Sequence, residues 1–236
     1  GGGSSINASI WARPFKADMD HWAKMTGDSR WNYESSLEIF KRIENWNGKE
    51  NSQYRGKNGP VWCQPADNPL PVATAMLDAC RGLGLPVKDD LNGEREVTGE
   101  GFALMNHIIK DGQRQNMARS YLYPVMAQKN VTVLVNTHVN KLVIDGTTVQ
   151  GVELEGSKGR ITVEADVETI LSGGGFNTPK LLMLSGIGDE VELKKHNINT
   201  VVHSPEVGKN MQDHILHGGV LFESPVQMSH RNSGAE

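Results

Sequence analysis

Hydrophobic and polar residues change rhythm along the chain. The stretch "WNYESSLEIFKRIENW" places Leu37, Phe40 and Ile43 three residues apart, with Ile39 and Trp46 widening the stripe. That spacing predicts a helix with one buried face, and Asn32 stands where it can cap the first turn. "NPLPVATAMLDACRGLG" repeats the helical spacing, with Leu70, Ala73, Leu77 and Cys80 on one face. Asn68 is expected to cap this second helix, and Gly82, Gly84 and Pro86 to stop it. Between the two, "KNGPVWCQPADNP" is expected to be a loop or a short edge strand, because Pro60, Pro65 and Pro69 each interrupt a ladder. "VKDDLNGEREVTGEGF" is polar and glycine-punctuated, and reads as a surface connection.

From Asn130 the period becomes two. "VTVLVNTHVNKLVIDGTTVQGVELEGSKGRITVEADVETIL" reads as several strands, with turns at Asp145-Gly146 and across residues 156–159. The strand "VETIL" then runs into "SGGGFNTP" and on into the apolar "KLLMLSGIG". A strand, a glycine-rich turn and a helix in that order bring backbone N–H groups to an anion or a nucleotide. Pro179 is expected in the first turn of that helix, and Gly186 and Gly188 at its end.

A second glycine-rich loop, "GGGSSINA", opens the chain. In both loops glycine permits positive φ or close approach of a ligand, while Ser and Asn add donors and acceptors. Neither is a P-loop and neither is a GxGxxG. Taken alone, each loop reads first as structural, and the residues by themselves go no further than leaving a nucleotide-binding α/β protein open.

Composition narrows the choice. The 236 residues suffice for one large domain or two modest ones. Lys and Arg total 24 against 28 Asp and Glu, for a net charge of −4. With no long basic run, nucleic acid is not an expected partner. The longest apolar stretches, such as residues 180–187, fall short of the ~20 residues of a membrane-spanning helix. No charged start followed by an apolar run marks a secretory signal, which leaves the compartment open with the cytoplasm as default expectation. Cys63 and Cys80 make neither a disulfide framework nor a CxxC metal site, and Cys80 is expected to be a buried thiol. "QDHILH" sets His214 and His217 three apart beside Asp213, but without a third strong ligand no metal site is expected. "GDEVELKKHN" reads as a solvated face.

The two glycine loops carry more when their surroundings are included. "GGGSSINA" resembles the first signature of the glucose–methanol–choline (GMC) family of FAD-dependent oxidoreductases, and "GGFNTPKLLMLSGIG" resembles the second. "EVGKNMQDH" is similar to the segment that follows in the family, while "GQRQNMARSYLYPV" and "NVTVLVNTHVNKLVIDG" fall in the family's order between them. The resemblance runs over essentially the whole chain and is nearest to choline-dehydrogenase-like alcohol dehydrogenases. It implies an α/β (α+β) fold: part of an FAD/NAD(P)-binding Rossmann-like domain with part of a substrate-binding domain. Residues 1–60 and 106–214, the latter with a β-meander, would belong to the FAD domain. Residues 61–105 would form a substrate or cap segment, and 215–236 the start of the substrate-binding domain. The GxGxxG strand is expected before Gly1, and the catalytic histidine beyond Glu236.

The cofactor so implied is FAD. The resemblance sets Gly2, Gly3, Ser4, Ser5 and Asn7 at the diphosphate and isoalloxazine, and the backbone of Val139 at the adenine. Ser172, Gly173 and Gly174 would pass the adenosine half, with Asp213 and His214 near the flavin. Gly175, Asn116, Met211 and Glu206 depart from the family pattern without removing a group the cofactor needs. The implied reaction is hydride transfer from an alcohol carbon to flavin, with a small-molecule alcohol as substrate and the electron acceptor unassigned. Trp62 and Asp67 are candidates to surround choline. Two other readings stand beside this one: a non-catalytic module that keeps the fold, and an unrelated nucleotide-binding α/β domain.

Overall fold

The computed structural model describes residues 2–157 and 159–213. They fall into two compact units, divided in sequence between Val131 and Thr132.

In the first unit the glycine-rich start does not remain a loop. Gly3–Ile6 winds into one helical turn, α1, entered through Gly2 at φ 83°. Helix α2 (Lys16–Thr26) opens where Asp18 Oδ2 accepts the Phe15 N–H at 2.9 Å, and it closes on Gly27 in the left-handed region. A 3-10 turn at Ser29–Trp31 leads into α3 (Tyr33–Ile43). Asn32 caps α3 as the spacing predicts, accepting the Ser35 N–H at 2.9 Å.

The expected stripe breaks at its end. Glu44–Trp46 leaves the helix as strand β1, paired in parallel with β2 (Val61–Cys63). Strand alternation buries Glu44 and Trp46 together, whereas α3 itself buries Tyr33 and Ser36 and leaves Ile39 exposed. The proline-flanked "VWC" is thus the short strand that its surroundings allowed.

Helix α4 (Pro71–Gly82) starts later than expected. Leu70 is its N-cap and Pro71 its first residue, where the missing N–H costs no helical bond; Asn68 lies outside at φ 50°. No residue of α4 is buried, so Cys80 is only half-buried, and the fully buried thiol is Cys63. The polar stretch that follows is not a surface connection either: it forms α5 (Glu94–Thr98) and buries Asn92 and Glu96. A minimal hairpin, β3 (Ile109–Lys110) with β4 (Gln113–Arg114), then leads to a π-helical turn at Ala118–Leu122.

The second unit is built on an antiparallel meander of β5 (His138–Asp145), β6 (Thr148–Gly156) and β7 (Gly159–Glu164). Both predicted turns are present: Gly146 takes φ 57° between β5 and β6, and Gly156 pairs with Gly159 across the second. Helix α6 (Gly174–Leu184) packs on β5. Ser185 fastens the two, accepting the Leu142 N–H at 2.8 Å and donating to the Leu181 carbonyl at 2.6 Å. Strand β8 (Ile187–Gly188), helix α7 (Glu190–Lys195) and strand β9 (Val202–His203) complete the unit, with β8 and β9 parallel. The charged side chains of α7 pair in solvent as expected, Lys195 with Glu192 at 2.8 Å, while Leu193 turns inward.

Three expectations fail here for physical reasons. "VTVLV" and "VETIL" form no strand, because no neighbouring strand among the described residues pairs with them; Val135, Val167 and Ile170 are exposed. Pro179 lies inside α6 rather than in its first turn, because the helix already begins at Gly174.

Candidate functional site

The helical turn after Gly2 is held from one side by residues 114–117. Ser4 Oγ accepts the Met117 N–H at 3.2 Å, and Asn116 Nδ2 donates to Ser5 Oγ at 3.1 Å. Arg114 Nη1 reaches Asn7 Oδ1 at 2.5 Å and the Ser4 carbonyl at 3.4 Å. Asn7 Oδ1 also accepts the Ser9 N–H at 3.0 Å. On its other side the loop is open: a Cβ added at Gly2 or Gly3 would meet nothing within 4 Å. The chemistry offered is that of an anion or heterocycle site, with serine hydroxyls, an amide and a guanidinium on a glycine backbone.

The chain leaving this loop is anchored in a buried polar centre that the hydrophobic pattern does not reveal. Trp11 Nε1 donates to Glu44 Oε2 at 3.1 Å. Asn92 accepts the Arg13 N–H at 2.7 Å and donates to the Trp11 carbonyl at 2.6 Å. Arg13 pairs with Glu44 at 2.6 Å and with Glu96 at 3.5 Å, while Arg55 pairs with Glu44 at 3.4 Å and lies 3.6 Å above the Trp46 ring. The Tyr33 hydroxyl donates to Glu96 Oε2 at 2.8 Å. Burial raises the Glu96 carboxyl above the ordinary glutamate range, opposed by the nearby Arg13 charge. Burial likewise raises the Tyr33 phenol, and pushes the Cys63 thiol up to about 12.

In the second unit the glycine bend borders a cavity of about 460 Å³. Val139 from β5 and Ser172 and Gly173 from the bend line it together, with Leu181 of α6 closing the apolar side. Gly174 begins α6 at φ 84°, next to the lining residues. The structure thus gathers the expected site residues into two groups, Gly2, Gly3, Ser4, Ser5 and Asn7 in the first unit and Val139, Ser172 and Gly173 in the second. Asp213 does not line the cavity, and His214 lies outside the described residues, as does His217.

Of the cap-segment candidates, Trp62 donates to Gln64 Oε1 at 2.9 Å and has Lys110 Nζ 4.7 Å above its ring, while Asp67 is exposed. Among the described residues no cluster of three His, Cys, Asp or Glu could hold a metal, and no helix is long and apolar enough to cross a membrane. Arg114 was not legible beforehand: one cation in a polar stretch carries no periodic signal, and only its contact with Asn7 marks it.

Comparison with known proteins identifies the family. Residues 1–216 match the family model described as GMC oxidoreductase. An oxygen-dependent choline dehydrogenase from Brucella ovis is 40% identical over 215 residues, which is 91% of this chain and 38% of that protein. The crystal structure of pyridoxine 4-oxidase from Mesorbium loti superposes with a TM-score of 0.80 at 31% identity, covering 87% of this chain and 40% of that one. An FAD-dependent oxidoreductase from Chaetomium thermophilum gives a TM-score of 0.76 at 28% identity, covering 87% and 37%. The chain therefore spans well under half the length of the relatives it matches.

Proposed function

The chain belongs to the GMC oxidoreductase family, and from that premise we propose that it is part of an FAD-dependent oxidoreductase acting on the CH–OH group of a small alcohol, with choline-type alcohols as the first class to test. Membership removes the reading as an unrelated nucleotide-binding domain. The observation that carries the proposal is the grouping of Val139, Ser172 and Gly173 around one cavity in the second unit; the Arg114-held turn in the first unit is a separate support.

The residues present fit the cofactor. The cavity in the second unit falls within the ~300–1,000 Å³ typical of small-molecule sites, and it offers an apolar wall with Ser172 and the Gly173 backbone at its edge. That combination suits a purine with its ribose. The open face at Gly2 and Gly3 admits close approach of a phosphate or ring, and Arg114 holds the turn through the Ser4 carbonyl and Asn7. On this reading residues 1–60 and 106–214 serve the FAD domain, with Gly2, Gly3, Ser4 and Ser5 at the diphosphate and Asn7 at the flavin. Gly174 follows the adenosine half, and Asp213 approaches the flavin.

Bound FAD would supply the hydride acceptor, so that the alcohol loses a hydride and a hydroxyl proton and leaves as the carbonyl compound. The contribution of these residues is binding and orientation. Donors fixed before the ligand arrives need no reorganisation when charge develops at the cofactor. No described residue is assigned as the proton acceptor.

The test is flavin content and alcohol-driven bleaching. Full-length protein is expected to bind FAD, and its visible flavin absorbance should bleach anaerobically on adding choline or another primary alcohol. Flavin that binds yet is bleached by no alcohol points to the non-catalytic module. Absence of flavin uptake refutes the proposal outright.

A further inference from the structure

Asn7 is held in one orientation by two donors. Its Oδ1 accepts from Ser9 N at 3.0 Å and from Arg114 Nη1 at 2.5 Å. A carboxamide oxygen has two lone pairs, so these contacts use its acceptor capacity. Because both neighbours are N–H groups, the oxygen rather than the nitrogen must face them, which settles the amide's direction by chemistry. Among the described residues no group takes the Nδ2 hydrogens, so what Asn7 can offer a ligand is a donor.

We propose that Arg114 is a positioning residue that makes Asn7 a donor aimed at an acceptor atom of the bound flavin ring. The inference rests on the flavin reading above and goes beyond it, because it assigns the polarity of the contact and the residue that sets it. Arg114 is 107 residues from Asn7 in sequence, and its Nη1 also touches the Ser4 carbonyl, so one guanidinium joins α1 to the residue that ends it. A charge-assisted bond polarises the amide and strengthens the donor on its far side. Reduction builds negative charge on the acceptor edge of a flavin, so a donor held there favours the reduced form.

The experiment compares wild-type full-length protein with Arg114→Met, Arg114→Lys, Asn7→Ala and the double variant Asn7→Ala/Arg114→Met. FAD affinity is read from flavin fluorescence, and the midpoint potential of bound flavin from dye equilibration. Arg114→Met is expected to weaken FAD binding about tenfold and to lower the potential, and Arg114→Lys to restore most of both. The double variant should be no worse than Asn7→Ala alone, because Arg114 acts through Asn7. Additive losses overturn the proposal, as does an unchanged Arg114→Met beside a shifted Asn7→Ala. If Arg114→Met does not fold, Asn7→Asp carries the test: it keeps an acceptor for Arg114 but loses the donor, so wild-type affinity and potential in that variant also overturn it. A wild-type protein that takes up no FAD fails differently, by removing the flavin reading itself.

Discussion

Arg13 Nη2 lies 2.6 Å from Glu44 Oε1, with both side chains all but removed from solvent. Glu44 also receives Arg55, the Trp11 indole and the Gly56 N–H at 2.8 Å. One carboxylate therefore bridges two guanidinium groups, whose remaining charge is met by Glu96 and Asp90, and through Trp11 it anchors the chain that leaves the glycine-rich start.

Glu44→Ala should be among the most damaging single changes in the first unit. Removing one partner of a buried pair strands the other charge, at about 3–5 kcal/mol. Denaturant unfolding followed by tryptophan fluorescence measures this; a loss under about 1 kcal/mol would show that the centre behaves like a surface pair.

Glu96 gives the unit a pH dependence of defined sign. Its folded carboxyl holds a proton at pH values where the unfolded one has released it. The native state then binds more protons, so this group's contribution to stability falls as pH rises from the ordinary glutamate range through the raised folded value. In Glu96→Gln that component disappears. The stability of wild type minus that of Glu96→Gln is expected to fall as pH rises from the ordinary glutamate range through the raised folded value, as measured by urea unfolding across a pH series. A flat or rising difference contradicts the assignment.

Cys63 and Cys80 should differ sharply toward thiol reagents. With the Cys63 thiol pushed up to about 12 and fully buried, roughly one molecule in 10⁵ carries its thiolate at neutral pH. Brief alkylation of native protein followed by peptide mass spectrometry is expected to label Cys80 and to spare Cys63 until denaturant is added. Early labelling of Cys63 would show that the β2 core opens on its own.

Gly186 meets two demands at once. It takes φ 84°, and a Cβ there would lie 2.5 Å from the Asn199 carbonyl oxygen. Gly186→Ala is expected to cost about 2–4 kcal/mol from backbone strain and overlap, read as a lowered unfolding midpoint. A shift within experimental error would mean that residues 199–201 yield freely.

Val139→Trp places bulk in the cavity beside Ser172 and Gly173. FAD affinity is expected to fall at least about tenfold, while the stability of the cofactor-free protein changes by no more than about 1–3 kcal/mol. Unchanged affinity would move the adenosine half of the cofactor elsewhere.

What the sequence made legible was local. Asn32 as the cap of α3, the Gly146 turn, the Gly156 to Gly159 turn and the glycine bend before α6 each carry their signal within a few residues. The start of α6 was misplaced because Pro179 suggested a first turn, whereas Gly174 and Gly175 already take helical positions. "VTVLV" and "VETIL" have the composition of strands, yet a strand exists only where another pairs with it, and composition does not report the partner. The polar centre was hidden for a related reason. Arg13, Glu44, Arg55, Asn92 and Glu96 recur with no period, so only the folded chain brings them together.

That centre also governs how the first unit comes apart. Its bonds join positions up to 83 residues apart, and none of its charges can meet water alone without leaving a counter-charge stranded inside. Opening is therefore expected to be all-or-none. The glycine-punctuated stretch around α5, an inviting target for a protease by composition, inherits through Asn92 and Glu96 the protection of the most deeply protected backbone amides, and should be cut and exchange its hydrogens at their pace.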